Sequence, residues 1–375
     1  MRTLFSILLF FILGSCVDRI RFDITKAEEY SVVVYGFISD RSGPYKITIN
    51  TAFDIESKDF LKTPISVRHV VISDNDGARE ELKETKPGEY ETAVNGIRGQ
   101  IGNVYTLKLE LLNGKVYESV SDTLLSSGKI DSAYYSFTSL ASRTGSMEYG
   151  FDIFANSSQG SSSSNHFLLN MIGTFQSDTY PESSVGGCYF LNGKCNYVPA
   201  CTGLRNTNAT SVGLPVFERV APCMCCTCWY NILNFSPVLK DYQFTSLDNF
   251  NGLKINRIPL DGWIFMHKIR VEVKLLSLTN QSFRFWKAVE NQRAAIGSLF
   301  QPVSGKIPIN FIQLSGAKSP VQGLFYAAAV SSKSIYIRRS DIPNESMIPA
   351  ISGGNISCLE LFPNATNIKP SFWED

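Results

Sequence analysis

Hydrophobic and polar positions along this chain alternate far more often than they recur at helical spacing. SVVVYGFISD (31–40) is a β-branched run that meets a turn around Asp40–Pro44, and PYKITIN alternates from Tyr45 to Ile49. The same texture continues through SVRHVVISD (66–74), residues 78–85, EYETAV (89–94), NVYTLKLEL (103–111) and KVYESVSDTL (115–124). Turn signals separate these runs at Asp74–Gly77, Pro87-Gly88 and Asn113-Gly114, which is the punctuation of a β-sandwich of immunoglobulin-like size. Ser126–Lys129 reads as the link out of it.

A second region begins near Ile130. DSAYYSFTS (131–139), MEYGFDIFANS (147–157) and HFLLNMIGTFQS (166–177) read as strands, with a polar, flexible loop at 158–165. WIFMHKIRVEVKLLSLT (263–279) predicts one long strand or two joined at a bulge. GLFYAAAVSSKSIYIRR (323–339) is expected to close the sheet of this region. Only one segment has helical spacing: Phe283, Trp286 and Val289 recur every three residues, Thr279 or Asn280 can cap the start, and Gly297 can end it. Phe283, Phe285 and Trp286 are one aromatic too many for a narrow stripe. They are therefore candidates for contact with another domain or a partner, beside the plainer reading of a helix docked on its own sheet. The expected fold class is mainly β. An immunoglobulin-like β-sandwich spans 31–127, and a larger β-rich domain spans 128–375, with a helix near 281–296 and an irregular Cys-rich loop over 186–228.

The first residues change the picture. MRTLFSILLFFILGSC places a positive Arg2 before an apolar run from Leu4 to Leu13, too short to span a bilayer, and then small residues. The ending Leu13-Gly14-Ser15-Cys16 resembles the bacterial lipoprotein box, so residues 1–15 are expected to be a signal peptide and Cys16 the lipidated residue. The charged, aperiodic residues 16–30 then form a tether. Acyl chains hold a protein at a membrane through about 0.8 kcal/mol per buried methylene.

The chain has nine cysteines, and the export signal bears on the other eight: Cys188, Cys195, Cys201, Cys223, Cys225, Cys226, Cys228 and Cys358. An even number in an oxidising compartment favours disulfides, although eight cysteines allow roughly a hundred pairings. APCMCCTCWY (221–230) also invites a zinc or redox reading. Adjacent Cys225 and Cys226 fit a Cys-x₂-Cys knuckle poorly, and Cys225–Cys228 lacks the βαβ setting of a thioredoxin-like motif. No metal and no cofactor is expected.

With 35 basic against 34 acidic residues, the chain has no basic patch to suggest a nucleic-acid partner. His69, His166 and His267 show no ligand spacing, no nucleophile elbow is visible, and no pair of carboxylates stands out, so catalytic residues are not assigned.

The segments VVVYGFISDRSGPYKITIN, PISVRHVVISDNDG, PGEYETAVNGIRGQIGNVYTLKLELLNGKVYES, KIDSAYY, KIRVEVKLLSLTNQSFRFWKAVENQ and GLFYAAAVSSKSIYI resemble a Bacteroidota lipoprotein family, DUF4249. The likeness spreads over most of residues 30–340. It implies an outer-membrane lipoprotein, on the surface or the periplasmic face, working beside a TonB-dependent, SusC-like β-barrel receptor. The Cys-rich loop departs from the plainer pattern of that family. The functional expectation is a non-enzymatic accessory subunit of such a barrel, acting in ligand capture, gating or assembly. The alternatives are a stand-alone glycan- or peptide-binding module, a structural subunit of an outer-membrane protein biogenesis or secretion machine, and a surface hydrolase that the sequence does not advertise.

Overall fold

The computed structural model describes residues 32–51, 63–142, 145–158, 162–186, 199–206, 216–233, 236–241, 249–295, 307–316, 321–362 and 364–374. The signal peptide, Cys16, the tether, Cys188 and Cys195 lie outside the described residues. None of the described helices is long and apolar enough to cross a membrane.

The chain is mainly β and builds two packed sheet pairs. In the first pair, one sheet runs β20 (Val321–Ala328), β1 (Val32–Ser39), β2 (Lys46–Asn50), β6 (Glu89–Glu91), β5 (Lys83–Lys86). The facing sheet runs β19 (Phe311–Ser315), β8 (Val116–Ser119), β7 (Val104–Leu111), β3 (Val67–Asp74), β4 (Arg79–Glu81), with β9 (Asp122–Thr123) on β7. The alternation read from the sequence sets which side chains turn inward. Tyr105, Leu107 and Leu109 of β7 meet Val34, Ile47 and Ile49 of the other sheet in one buried cluster.

Two strands of this sandwich come from much later in the chain. The run 323–339, expected to close the second region, is divided at Ala329. β20 pairs parallel with β1, from Val32↔Val321 to Ser39↔Ala328, and β21 (Val330–Arg338) pairs antiparallel in the other domain. Ala329 N–H donates to Ser277 Oγ at 2.9 Å and Val330 N–H to Asp40 Oδ1 at 2.8 Å, so the chain is pinned where it changes sheets. Gly323 permits the close parallel approach: its φ is +117°, and a Cβ there would lie 1.7 Å from the Val34 carbonyl oxygen.

In the second pair, β10 (Lys129–Ala141), β11 (Met147–Ser158) and β17 (Asn249–Pro259) form one sheet. The other runs β15 (Thr227–Leu233), β12 (His166–Asp178), β18 (Lys268–Leu278), β21, with β16 (Val238–Asp241) also on β12. Phe151, Ile153, Phe175, Phe265, Val271 and Val273 are among the side chains buried between them. β17 was not anticipated. Trp263–His267 forms a turn instead of extending β18, because Asp261 Oδ1 accepts from the N–H groups of Trp263 and Ile264 at 2.8 and 3.1 Å. In the Ser-rich loop, Ser162–Ser164 is held rather than free: Ser162 Oγ donates to the Ser126 carbonyl at 2.6 Å and Ser164 Oγ to that of Leu278 at 2.7 Å.

Helix α1 (Asn280–Ala295) sits where the domains meet. Thr279 caps it, accepting from Ser282 N–H through Oγ1 at 3.3 Å and from Phe283 N–H through its carbonyl at 2.9 Å. β18 alternates in burial through Lys274 and is then buried continuously from Leu275 to Leu278, because α1 covers its second face. The cluster under α1 joins Leu168, Leu276 and Leu278 of the second domain to Leu324, Tyr326 and Ala328 of β20. Each fully buried large aliphatic side chain there contributes about 1.5–3 kcal/mol.

Candidate functional site at the disulfide-braced end

Among the described residues, three disulfides gather at one end of the second domain: Cys201–Cys225, Cys223–Cys226 and Cys228–Cys358. They are built on the edge strand β15. Its register with β12 sets Cys228 opposite the buried Ser177, and the bridge from Cys228 reaches Cys358 at the start of the short helix α2 (Cys358–Leu361). Ser357 caps α2 through its side chain, accepting from Leu359 N–H at 3.2 Å. Farther along β15, Trp229 and Thr366 exchange both backbone hydrogen bonds, at 2.8 and 3.0 Å. The tail beyond α2 thus covers an edge that would otherwise offer unpaired backbone groups.

Upstream of β15 the described part of the Cys-rich loop includes a two-strand ribbon, β13 (Leu204–Asn206) with β14 (Phe217–Arg219). Gly203 must be glycine: its φ is +70°, and a Cβ would lie 2.0 Å from the Ala221 carbonyl oxygen. Backbone bonds knit the segments together. Met224 N–H donates to the Cys201 carbonyl at 2.7 Å, Thr179 N–H to that of Cys226 at 2.7 Å, Cys358 N–H to that of Cys225 at 3.2 Å, and Tyr180 N–H to that of Gly354 at 2.6 Å.

The bridges differ in what they hold. Cys228–Cys358 spans a sequence separation of 130 residues, Cys201–Cys225 one of 24, and Cys223–Cys226 one of 3. Loop-closure entropy then assigns them about 5, 3.5 and 2 kcal/mol, mainly through the unfolded chain. Cys225, Cys228 and Cys358 are fully buried, whereas Cys201, Cys223 and Cys226 are partly exposed, so Cys223–Cys226 is the bridge with both members within reach of solvent.

Beside the exposed bridge lies Glu182, in the 3₁₀ turn Pro181–Gly186. One carboxylate oxygen pairs with Arg219 and the other lies 3.6 Å from Cys226 Sγ. That approach is not a hydrogen bond, because a sulfur in a disulfide carries no proton. Glu182, Cys223 and Cys226 are the group of metal-ligating residue types among the described residues whose donor atoms lie within 4.8 Å of one another. Oxidised, the two sulfurs are bonded to each other and offer no thiolate.

Apolar side chains around this frame face outward. Tyr180 is 65% exposed, Val220 60%, Met224 57% and Ile368 73%. They stand on segments that the bridges and backbone bonds tie together, with Asn367 Nδ2 donating to the Met224 carbonyl at 2.9 Å.

Elsewhere the candidate residues are occupied within the chain. Phe283 stacks on the buried His166 at 4.5 Å, and Trp286 meets Tyr35, Phe285 and Tyr326 edge-on. The surplus aromatic is explained by α1 serving two domains at once: Phe283 meets His166 of β12, while Trp286 meets Tyr35 of β1 and Tyr326 of β20, which is the expected contact with another domain. Each histidine sits beside a carboxylate: His69 by Glu81 at 2.5 Å, His166 by Asp241 at 3.3 Å and His267 by Asp178 at 2.6 Å. The first lies in the sandwich and the others at opposite ends of the β12–β18 ladder. Burial lowers the His166 pKa, and Arg284 adds to that effect against Asp241. Sequence reasoning did not single out Glu182, Arg219, Gly203 or Thr179. Only Gly203, directly after Cys201-Thr202, carries a turn signal that could have drawn attention.

The family model described as "Domain of unknown function (DUF4249)" matches residues 17–334, and the chain belongs to that family. No curated protein matches it.

Proposed function

We propose that this member of the DUF4249 family is a non-enzymatic, lipid-anchored outer-membrane subunit that docks on a TonB-dependent, SusC-like β-barrel through its disulfide-braced end. The observation that carries this reading is a set of exposed apolar side chains, Tyr180, Val220, Met224 and Ile368, on a covalently fixed frame. Exposed apolar side chains gathered in this way mark interaction surfaces, and a frame already ordered before binding lowers the entropic cost of association. The lipoprotein box ending at Cys16 supports the anchor, and the two sandwiches supply the rigid body that carries the braced end.

The test is affinity purification of the tagged full chain from native outer membrane in mild detergent. A β-barrel protein in stoichiometric amount is expected, and Met224→Asp combined with Val220→Asp should release it while leaving the far-UV circular dichroism unchanged. Recovery of the lipoprotein alone, or retention of the barrel by the double variant, defeats the proposal.

A further inference from the structure

We infer that the Cys223–Cys226 bridge is a reversible redox latch over a metal site: opened by a dithiol reductant, Cys223, Cys226 and Glu182 bind one thiophilic divalent cation of the zinc class. This inference is independent of the docking proposal.

Three observations carry it. The first is redundancy. Cys223 and Cys226 lie between two residues already tied elsewhere, Cys225 to Cys201 and Cys228 to Cys358, and the backbone bonds of Met224, Cys225 and Cys226 hold this stretch to Cys201, Cys358 and Thr179. Opening a bridge of separation 3 inside that frame leaves the frame in place. The second is access. Both residues of this bridge are partly exposed, whereas Cys201–Cys225 has one fully buried member, Cys225, and both Cys228 and Cys358 are fully buried; exchange by an attacking thiolate needs access. The third is the ligand set. The donor atoms of Glu182, Cys223 and Cys226 already lie within 4.8 Å of one another, a separation that side-chain rotation converts to coordination at about 2.0–2.3 Å. Charge also balances. Two thiolates and one carboxylate face a divalent cation and the Arg219 guanidinium, which is paired with Glu182.

The chemistry has two steps. A dithiol transfers two electrons and two protons to the Cys223–Cys226 bond, leaving two thiols here and a disulfide in the reductant. Cation binding then displaces both thiol protons to solvent, forms two sulfur–metal bonds and one oxygen–metal bond, and leaves a fourth position for water.

The experiment takes the oxidised full chain through a graded series of dithiothreitol concentrations, with alkylation and peptide mapping at each step, and then titrates each form with Co²⁺. Cys223 and Cys226 should be alkylated while Cys201–Cys225 and Cys228–Cys358 remain closed. At that point the protein should bind one Co²⁺ with thiolate-to-metal absorption, and the oxidised form none. Glu182→Gln should weaken that binding roughly tenfold or more, consistent with the loss of a coordinating group. The Cys223→Ser/Cys226→Ser protein, which reports on any other thiols, should show no such band. Simultaneous opening of all three bridges overturns the proposal. So does a selectively reduced protein without the absorption band, a band that survives in the double serine variant, or an affinity indifferent to Glu182→Gln.

Discussion

Asp122 ties together parts of the chain that are distant in sequence, and its replacement tests how the two domains are joined. Its carboxylate accepts from Thr279 Oγ1 at the start of α1, from Ser282 Oγ at 2.8 Å and from Ala327 N–H of β20 at 3.0 Å. The residue is buried, and that burial raises its pKa above the ordinary 3.8 despite these three donors and the Thr123 backbone N–H. Because the folded-state value is the higher one, the folded chain binds more protons between the two values. Stability from this group therefore falls as pH rises from the ordinary carboxylate range through the raised one. Asp122→Asn removes the charge but keeps an acceptor for Ala327 N–H, and the two hydroxyls can rotate to suit the amide. It should stay within about 1 kcal/mol of the natural protein near neutral pH and flatten the pH dependence. Asp122→Ala leaves the Ala327 N–H without its acceptor and strips both hydroxyls of theirs. At about 1–3 kcal/mol for each buried group left unpaired, relieved in part by hydroxyl rotation, the expected loss is about 2–4 kcal/mol. Urea unfolding of both variants at acid and neutral pH, followed by tryptophan fluorescence and circular dichroism, measures the difference. Equal damage from Asn and Ala, or a loss below about 1 kcal/mol for Ala, refutes the reasoning.

Two further predictions follow from the same geometry. Gly323→Ala places a Cβ 1.7 Å from the Val34 carbonyl oxygen at a φ of +117°, so the β1–β20 ladder must separate; a loss of at least about 3 kcal/mol in urea unfolding is expected, and one within about 1 kcal/mol refutes the claim. His166 has a folded-state pKa below its ordinary 6.5, so it favours folding above that value and weakens it as pH falls; His166→Phe, which keeps the stack on Phe283, should flatten that decline, and a His166 NMR titration at or above 6.5 would contradict it.

The sequence revealed most where local signals and burial agree. Strands β3, β4, β7 and β8 were legible because apolar patterning and the turns at Asp74–Gly77 and Asn113-Gly114 specify the hairpins β3–β4 and β7–β8. β20 was misplaced because a parallel partner almost 290 residues away leaves no turn to read, and its apolar run continues into β21 without a polar break. β17 was missed because NFNGLKINRIP opens with a turn-like Asn-Gly, and its register against β11 shifts twice. The Asp261-Gly262 pair lies immediately before the expected long strand of 263–279, but its turn signal is outweighed by the apolar residues after it. Disulfide bonding of the cysteine cluster could be argued from the export signal. The pairing could not, because it depends on β15 carrying Cys228 against α2, a contact between segments 130 residues apart.

The location of the bridges follows the location of the core. Residues 31–127 contain no cysteine, and their sandwich is closed by a continuous apolar cluster. At the braced end the described chain between 199 and 228 has a single 3₁₀ turn (Ala200–Thr202), the three-residue strands β13 and β14 and the start of β15, and it presents Val220 and Met224 to solvent. Ordering each backbone residue costs about 1–2 kcal/mol, which outward-facing side chains do little to offset. Cross-links reduce that cost by restricting the unfolded chain, and they do so without requiring the apolar side chains to turn inward. A segment folded by burial would have had to hide Tyr180, Val220 and Met224. One folded by sulfur can keep them exposed, and the cluster APCMCCTCWY is therefore read best as the frame of a surface. Within that frame the deeply buried bridge Cys228–Cys358 fixes the shape, while the short, accessible Cys223–Cys226 is the bridge that can open without losing it.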